Sequence, residues 1–416
     1  KKHNSKQKIT KNTTTNITMN NKIIKRLEII NNLNTKNLIS PLPLNTLAWI
    51  ITGLSQSDGS FGISFKKSNS KIGYYPSPFF RIELTKLSYP LLKLISLYFG
   101  CGRIGERTER DMVYFEITDF YSIWHIIVPH FINFPFYGIK QQTFLSFVHS
   151  LTLLYPYFNK KKPKLLLGKL IYLASHVKVG SGGSVSNKTE MQTHNLYKKL
   201  NITDIDLKEI MTDLQPLSNA FRWSPYFYPL ASFNVYFIIG IIEGDGSFYI
   251  GLRENRKVRF GFSITTHINE IDLLYKIKWF LNCGIAKIKS STWCRYEVER
   301  TNYLRSILIP LVNSVPLYSS KSVKFKAFKE AMTIYTNKEH LTDDGLIKLV
   351  KIAYEAEVNK FNSSTRRKYT LEEYLTKNNL SSGAGDHNIN NNPREKNRCI
   401  IIIKIFFISL TNEKET

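Results

Sequence analysis

Two segments of this chain repeat one pattern. Thr52–Phe65 reads TGLSQSDGSFGISF and Ile239–Leu252 reads IGIIEGDGSFYIGL. Aligned on Asp58 and Asp245, both give Gly, four residues, Asp-Gly-Ser-Phe, one variable residue and Ile. Each follows an apolar run, Leu47–Ile51 in one copy and Val235–Ile239 in the other. A chain built this way is constrained to fold as two similar halves, and the pairing can bring two carboxylates together. The apolar runs are too short to span a bilayer. Leu47, Ile50, Ile51 and Leu54 fall on one helical face. Small residues recur four apart, Gly53 with Ser57 and Gly240 with Gly244, so they share a face. Such faces let two helix backbones approach closely. Gly59 and Gly246 read as helix stops. Beyond them the period changes to two, with Phe61, Ile63 and Phe65 alternating as in a half-buried strand. Each copy is therefore a helix feeding a strand, and the two helices pack on each other.

This places Asp58 and Asp245 at helix C-terminal ends, where the last carbonyls already carry partial negative charge. An isolated Asp-Gly there is an ordinary turn. Two copies facing each other form a concentrated negative site, and hard divalent cations with oxygen ligands relieve such repulsion.

The two motifs resemble the paired signature helices of single-chain LAGLIDADG homing endonucleases, from Leu44 to Glu330 apart from the joining segment. The resemblance implies that Asp58 and Asp245 bind catalytic Mg²⁺, and that the two halves straddle double-stranded DNA and cut both strands. Gln56 departs from the family pattern, which has a second acid there; Glu243 keeps it. That acid is usually structural, so the change bears on helix-end packing. Lys140 and Lys321 match the lysines that the family places near the scissile phosphates, where they would stabilise developing charge. At the position of a family glutamine near the metals stand Lys86 in one half and Thr266 or His267 in the other. The family also includes group I intron maturases, which bind intron RNA. That is the alternative reading, and both acids being present favours cleavage.

The repeat continues past the motifs. Phe99–Ile104 parallels Leu281–Ala286, and Tyr114–Ile117 parallels Arg295–Val298. From Pro129 and Pro310 onward Pro, Pro, Tyr, Lys, Phe and Phe recur in register, including Tyr137 with Tyr318 and Lys140 with Lys321. Each half reads α-β-β-α-β-β-α, an α+β order with a four-stranded antiparallel sheet. The expected organisation is a basic N-terminal segment over 1–43 and a first half over 44–150. A joining segment covers 151–230, with helical patches at Lys164–His176 and Asp204–Leu214 and a flexible GSGGS stretch at 180–184. A second half spans 231–335, with C-terminal helices and a polar tail over 336–416. Both halves lie in one chain, so a monomer is expected.

The formal net charge of +26 favours a polyanionic partner. On the first strands of the two halves, Lys66, Lys67, Lys71 and Arg81 and then Arg253, Arg256, Lys257 and Arg259 are the expected DNA contacts. A curved sheet can carry such side chains into a major groove. Four cysteines, Cys101, Cys283, Cys294 and Cys399, show no metal-ligand spacing or disulfide framework. Residues 1–40 are rich in Lys, Asn and Thr and read as disordered. They lack the bias of an import peptide, so the chain reads as the released tail of a longer translation product. Heavy use of Asn, Lys, Ile, Tyr and Phe, taken with the resemblance, implies an intron reading frame in a mitochondrial genome.

Overall fold

The computed structural model describes residues 42–68, 73–158, 160–177, 187–223, 233–253, 256–356 and 369–380. Lys71, the GSGGS stretch, the segment before residue 42 and the tail from residue 381 lie outside them. The first half runs α1 (Leu44–Asp58), β1 (Gly59–Lys67), β2 (Tyr74–Thr85), α2 (Tyr89–Phe99), β3 (Arg103–Arg107) and β4 (Met112–Ile117). A helix interrupted by a π turn at Ile123–Ile127 follows, then α3 (Ile139–Leu154). Three joining helices come next: α4 (Lys164–Val177), α5 (Asn187–Lys199) and α6 (Asp204–Trp223). The second half repeats the plan with α7 (Val235–Asp245), β5 (Gly246–Leu252), β6 (Val258–His267), α8 (Ile271–Leu281), β7 (Ile285–Ile288) and β8 (Trp293–Val298). Its interrupted helix has a π turn at Leu304–Leu308, and α9 (Lys321–Thr336) follows. Helices α10 (Asp343–Glu355) and α11 (Leu371–Lys377) end the described chain.

Both sheets have four antiparallel strands, ordered β1-β2-β4-β3 and β5-β6-β8-β7. The α+β fold expected from the repeat is the one observed, with an interrupted helix added before each lysine-bearing helix. The duplication reaches individual side chains. Phe61 faces Phe80 across β1 and β2, and Phe248 faces Phe262 across β5 and β6. Their ring centroids are 5.1 Å apart in both halves. Such cross-strand aromatic pairs stabilise a sheet face and fix its register.

The halves meet at α1 and α7. A Cβ added at Gly240 would lie 2.6 Å from the Leu54 nitrogen and 2.8 Å from the Gly53 Cα, and one added at Gly53 would lie 3.0 Å from the Gly240 Cα. Here backbone touches backbone, and any side chain would separate the helices. The apolar residues of α1 do not all face one core. Leu47, Ile51 and Leu54 enter the first-half core, whereas Ile50 enters the second. A helix at the centre of a two-core molecule is buried all round, so one apolar face is too simple a description.

Gly59 and Gly246 do end their helices, without left-handed backbone. Their φ and ψ are −79° and 145° for Gly59 and −64° and 138° for Gly246. A Cβ would sit 2.5 Å from the Ser55 oxygen in one case and from the Ile242 oxygen in the other. Glycine is needed because the chain folds directly from helix into strand against the last turn.

The joining helices belong to the first half. Leu166, Leu167, Leu170, Ile171 and Ala174 of α4 are part of its core. Leu349, Ile352 and Ala353 of α10 join the second core. No helix among the described residues is long and apolar enough to cross a membrane. Overpacking a core typically costs about 1–3 kcal/mol. Gly240→Leu should exceed that range, because the displaced neighbour is rigid backbone. Urea unfolding measures the loss, and wild-type stability would contradict the contact.

Candidate active site

The glycine crossing brings the helix ends together. Asp58 closes α1 and Asp245 closes α7, and a Cβ at Gly244 would lie 2.5 Å from Asp58 Oδ2. Burial, and next the charge of Asp245, push Asp58 up to about 7, against the pull of Lys321 and Lys140. Burial also pushes Asp245 up, opposed by the Ser57 hydroxyl and the same two lysines. The four residues expected to form the site are thus within electrostatic reach of one another. Lys140 is the second residue of α3 and Lys321 the first of α9. Burial draws Lys140 down to about 8, while Glu270, Asp58 and Asp245 favour its charge. Its Nζ donates to the Gly59 carbonyl.

Gln56 solves the packing problem raised by the missing acid. Its Nε2 donates to the Tyr137 carbonyl at 2.9 Å, and its Oε1 accepts from the Tyr137 N–H at 3.2 Å. Glu243 can only accept as a carboxylate, and it takes two N–H groups, Tyr318 at 2.6 Å and Ser319 at 3.0 Å. Either chemistry pins the loop before a lysine-bearing helix to the end of a motif helix.

A sequence profile described as LAGLIDADG endonuclease matches residues 51–151 and 238–332, which contain both aspartates and both lysines. The chain belongs to the LAGLIDADG family. A probable intron-encoded endonuclease of Neurospora crassa is 29% identical over 305 residues, 73% of this chain and 63% of the relative, so the chain spans less than two thirds of that protein. A probable intron-encoded DNA endonuclease of Mycosarcoma maydis is 26% identical over 269 residues, 64% of this chain and 92% of the relative. The crystal structure of the I-LtrWI LAGLIDADG homing endonuclease bound to target DNA matches with a TM-score of 0.61 at 23% identity, covering 77% of this chain and all of that one.

In this LAGLIDADG chain each sheet buries one face and opens the other. On β1 the open-face residues are Ser60, Gly62, Ser64 and Lys66, whereas Lys67 has the parity of Phe61, Ile63 and Phe65 and lies exposed at the strand end. Arg81 is on the open face but paired. Glu116 receives Arg103 at 2.6 Å and also Arg81. Burial pushes Glu116 up, yet the bonds and charges of the two arginines hold it below the usual carboxylate range. Glu297, at the matching position, gathers Arg295 at 3.1 Å, Lys289 at 3.1 Å and Lys287 at 3.2 Å. Arg259 pairs with Glu299.

Arg253 holds the hairpin through backbone bonds, its N–H to the Lys257 carbonyl at 2.9 Å and its carbonyl from Tyr374 Oη at 2.9 Å. Arg256 sits in the turn between β5 and β6, not on a strand. It pairs with Asp343 of α10 and donates its N–H to Asn378 at 3.1 Å, so the C-terminal helices brace this hairpin. Five open-face bases were not among the expected contacts: Arg103, Arg107, Lys287, Lys289 and Arg295. Strand alternation around Glu116 and Glu297 was the signal for them. Lys86 is exposed and pairs with Glu106 at 3.0 Å. Thr266 and His267 border a cavity of about 630 Å³ that also touches Asp245, Lys140 and Glu270.

The raised pKa of Asp58 has a stability consequence. Its unfolded form loses its proton near 3.8, and the folded form retains it to about 7. The folded state binds more protons between those values, so its stability falls as pH rises through that window. In chelator, Asp58→Asn should remove this slope and stabilise the protein above neutral pH. Thermal unfolding from acid to mildly alkaline pH measures it; identical slopes would contradict the raised Asp58 pKa that burial and Asp245 produce.

Proposed function

We propose that the protein is a homing endonuclease that makes a double-strand break in a long DNA target, supporting movement of its intron. One observation carries this reading: two half-buried carboxylates at the junction of the halves, each within the field of both lysines. Among the described residues no cluster of three or more His, Cys, Asp or Glu side chains could hold a metal ion. The donor set would be the two carboxylates with helix-end carbonyls. Mg²⁺ suits it, since Mg²⁺ is commonly held by one or two carboxylates, waters and substrate phosphates. When bound, such an ion supplies activation of water and stabilisation of the leaving oxygen.

Asp58 and Asp245 would hold the cation. Lys140 and Lys321 would face the phosphates from opposite halves and stabilise charge that develops there. Glu116 and Glu297 would hold the bases of the open faces in fixed geometry over the duplex. The halves are unequal in sequence, so the target needs no twofold symmetry. The protein would act as a monomer. The intron-encoded relatives, a further match named as a mitochondrial protein, and the heavy use of Asn, Lys and Ile support a mitochondrial reading frame. The intact pairs of acids and lysines favour cleavage over RNA maturation.

Duplex spanning an intronless junction, incubated with and without Mg²⁺, tests the reading. Asp58→Asn or Asp245→Asn should abolish cleavage while DNA binding persists, because phosphate contacts do not need these acids. Full cleavage by both variants would overturn the assignment. Binding should also depend on salt. A protein with about 6–10 phosphate contacts loses roughly 10³–10⁵ in affinity between about 50 and 200 mM salt. A flat titration would mean that the basic faces are not engaged.

A further inference from the structure

The C-terminal helices have no part in the proposed chemistry, yet they grip the first hairpin of the second half. Leu252 closes β5 and Val258 opens β6, opposite each other in register. Both pack against a separate small core made by Leu346, Ile347 and Val350 of α10 with Tyr374 of α11 and Leu380. Three polar contacts add to this packing. Tyr374 Oη donates to the Arg253 carbonyl at 2.9 Å, and the Arg256 N–H donates to Asn378 Oδ1 at 3.1 Å. The Arg256 guanidinium pairs with Asp343. Tyr374 is only 3% exposed, so its hydroxyl acts from inside the protein.

Strand alternation shows what this grip presents. Leu252 has the parity of Phe248 and Ile250, which are buried, so Arg253 has the parity of Ser247, Tyr249 and Gly251 on the open face. Lys257 likewise shares the parity of Arg259. The Arg253 N–H donates to the Lys257 carbonyl at 2.9 Å, so the two face each other one step beyond Leu252 and Val258, and both are exposed. They stand far from the acids. Strand β5 starts directly after Asp245 and has 7 residues. At about 3.3 Å per residue, Arg253 lies roughly 20 Å along the sheet from that aspartate. The matching hairpin is held by other parts of the chain. Phe65, the counterpart of Leu252, and Tyr74 pack against the first core, to which α4 contributes, and Lys199 of α5 has its Nζ 6.0 Å from the Tyr74 ring.

We infer that α10 and α11 are a positioning module for target recognition: they hold Arg253 and Lys257 against the outer end of one DNA half-site, so that the reading of base pairs far from the cut on that side depends on Tyr374 and Asn378. This rests on the endonuclease reading. A two-stranded hairpin is marginal on its own. Its charge would still attract phosphate, but a loose hairpin could adapt to a wrong base pair and lose the difference between targets. Packing from behind, with the backbone gripped on both sides of the turn, removes that freedom. Discrimination, more than affinity, is therefore what the helices supply.

The test uses full-length protein and target duplexes with base-pair substitutions at the outer end of one half-site or of the other. Competition with the unchanged target gives a discrimination ratio for each end. Wild type must bind and cut the unchanged target; failure there would overturn the endonuclease reading on which this one stands. Arg253→Ala with Lys257→Ala should lose discrimination at one end and so identify it as the second half's. Tyr374→Phe with Asn378→Ala removes both backbone grips and keeps the buried ring. It should lower the ratio at that same end by about fivefold or more, since one base pair is typically worth roughly five- to a hundredfold. The ratio at the other end and the single-turnover cleavage rate at saturating protein should stay at wild-type values, and they serve as the control for folding. Added to Arg253→Ala with Lys257→Ala, the same two changes should cost that end nothing more. An unchanged ratio, an equal fall at both ends, slower cleavage at saturation, or no effect of losing Arg253 and Lys257 would each overturn the inference.

Discussion

The molecule depends on a contact that contains no side chains. At Gly53 and Gly240 two helices cross so closely that a single methyl group on either would strike the other's backbone. Close crossing forces the helix ends to converge, and convergence brings two half-buried carboxylates near each other. Burial, and next the charge of Asp245, make Asp58 hold its proton to about 7. The separation of the sheets follows from the same contact, because each strand β1 and β5 starts directly at the end of its motif helix.

Around this contact the halves exchange parts. Ile50 and Tyr137 of the first half pack in the second core, and Tyr318 of the second half packs against the first. Gln56 and Glu243 pin the tyrosine loops to the motif helices, and Glu270 and Ser88 reach the starts of the opposite lysine helices. Neither half completes its own site. Asp58 lies in the field of both lysines and of Asp245, so both halves must be docked before the site's electrostatics exist. This favours a single chain, in which the two halves cannot dissociate and each can drift in sequence to suit its own half of a target.

Much of this was legible in the sequence because duplication makes the chain its own alignment. The paired Gly, Asp and Lys positions needed only the repeat, and the phenylalanine alternation located the first strands. What the sequence concealed is what the halves do to each other. Periodicity puts Ile50 on a face with Leu47 and Leu54, but cannot say that two cores compete for that helix. Arg256 reads as a strand residue, but it lies in the turn after β5, where Asp343, far along the chain, pairs with it. Arg81 reads as a free cation until Glu116 is found opposite it, and strand register supplies that neighbour. Glu270 is opaque for a further reason. Its counterpart is Ser88, so the repeat registers a mismatch where the structure has two chemistries in one place.

If the crossing holds Asp58 and Asp245 as a pair whose charge a divalent cation neutralises, Mg²⁺ alone should stabilise the folded protein. The most direct test is the thermal unfolding temperature above neutral pH, titrated with Mg²⁺ in the absence of DNA, for wild type and for the Asp58→Asn/Asp245→Asn double variant. Ligands that bind only the folded state raise its stability with concentration. Mg²⁺ should raise the unfolding temperature of wild type and leave that of the double variant unchanged. The same rise in both proteins, or none in either, would contradict it.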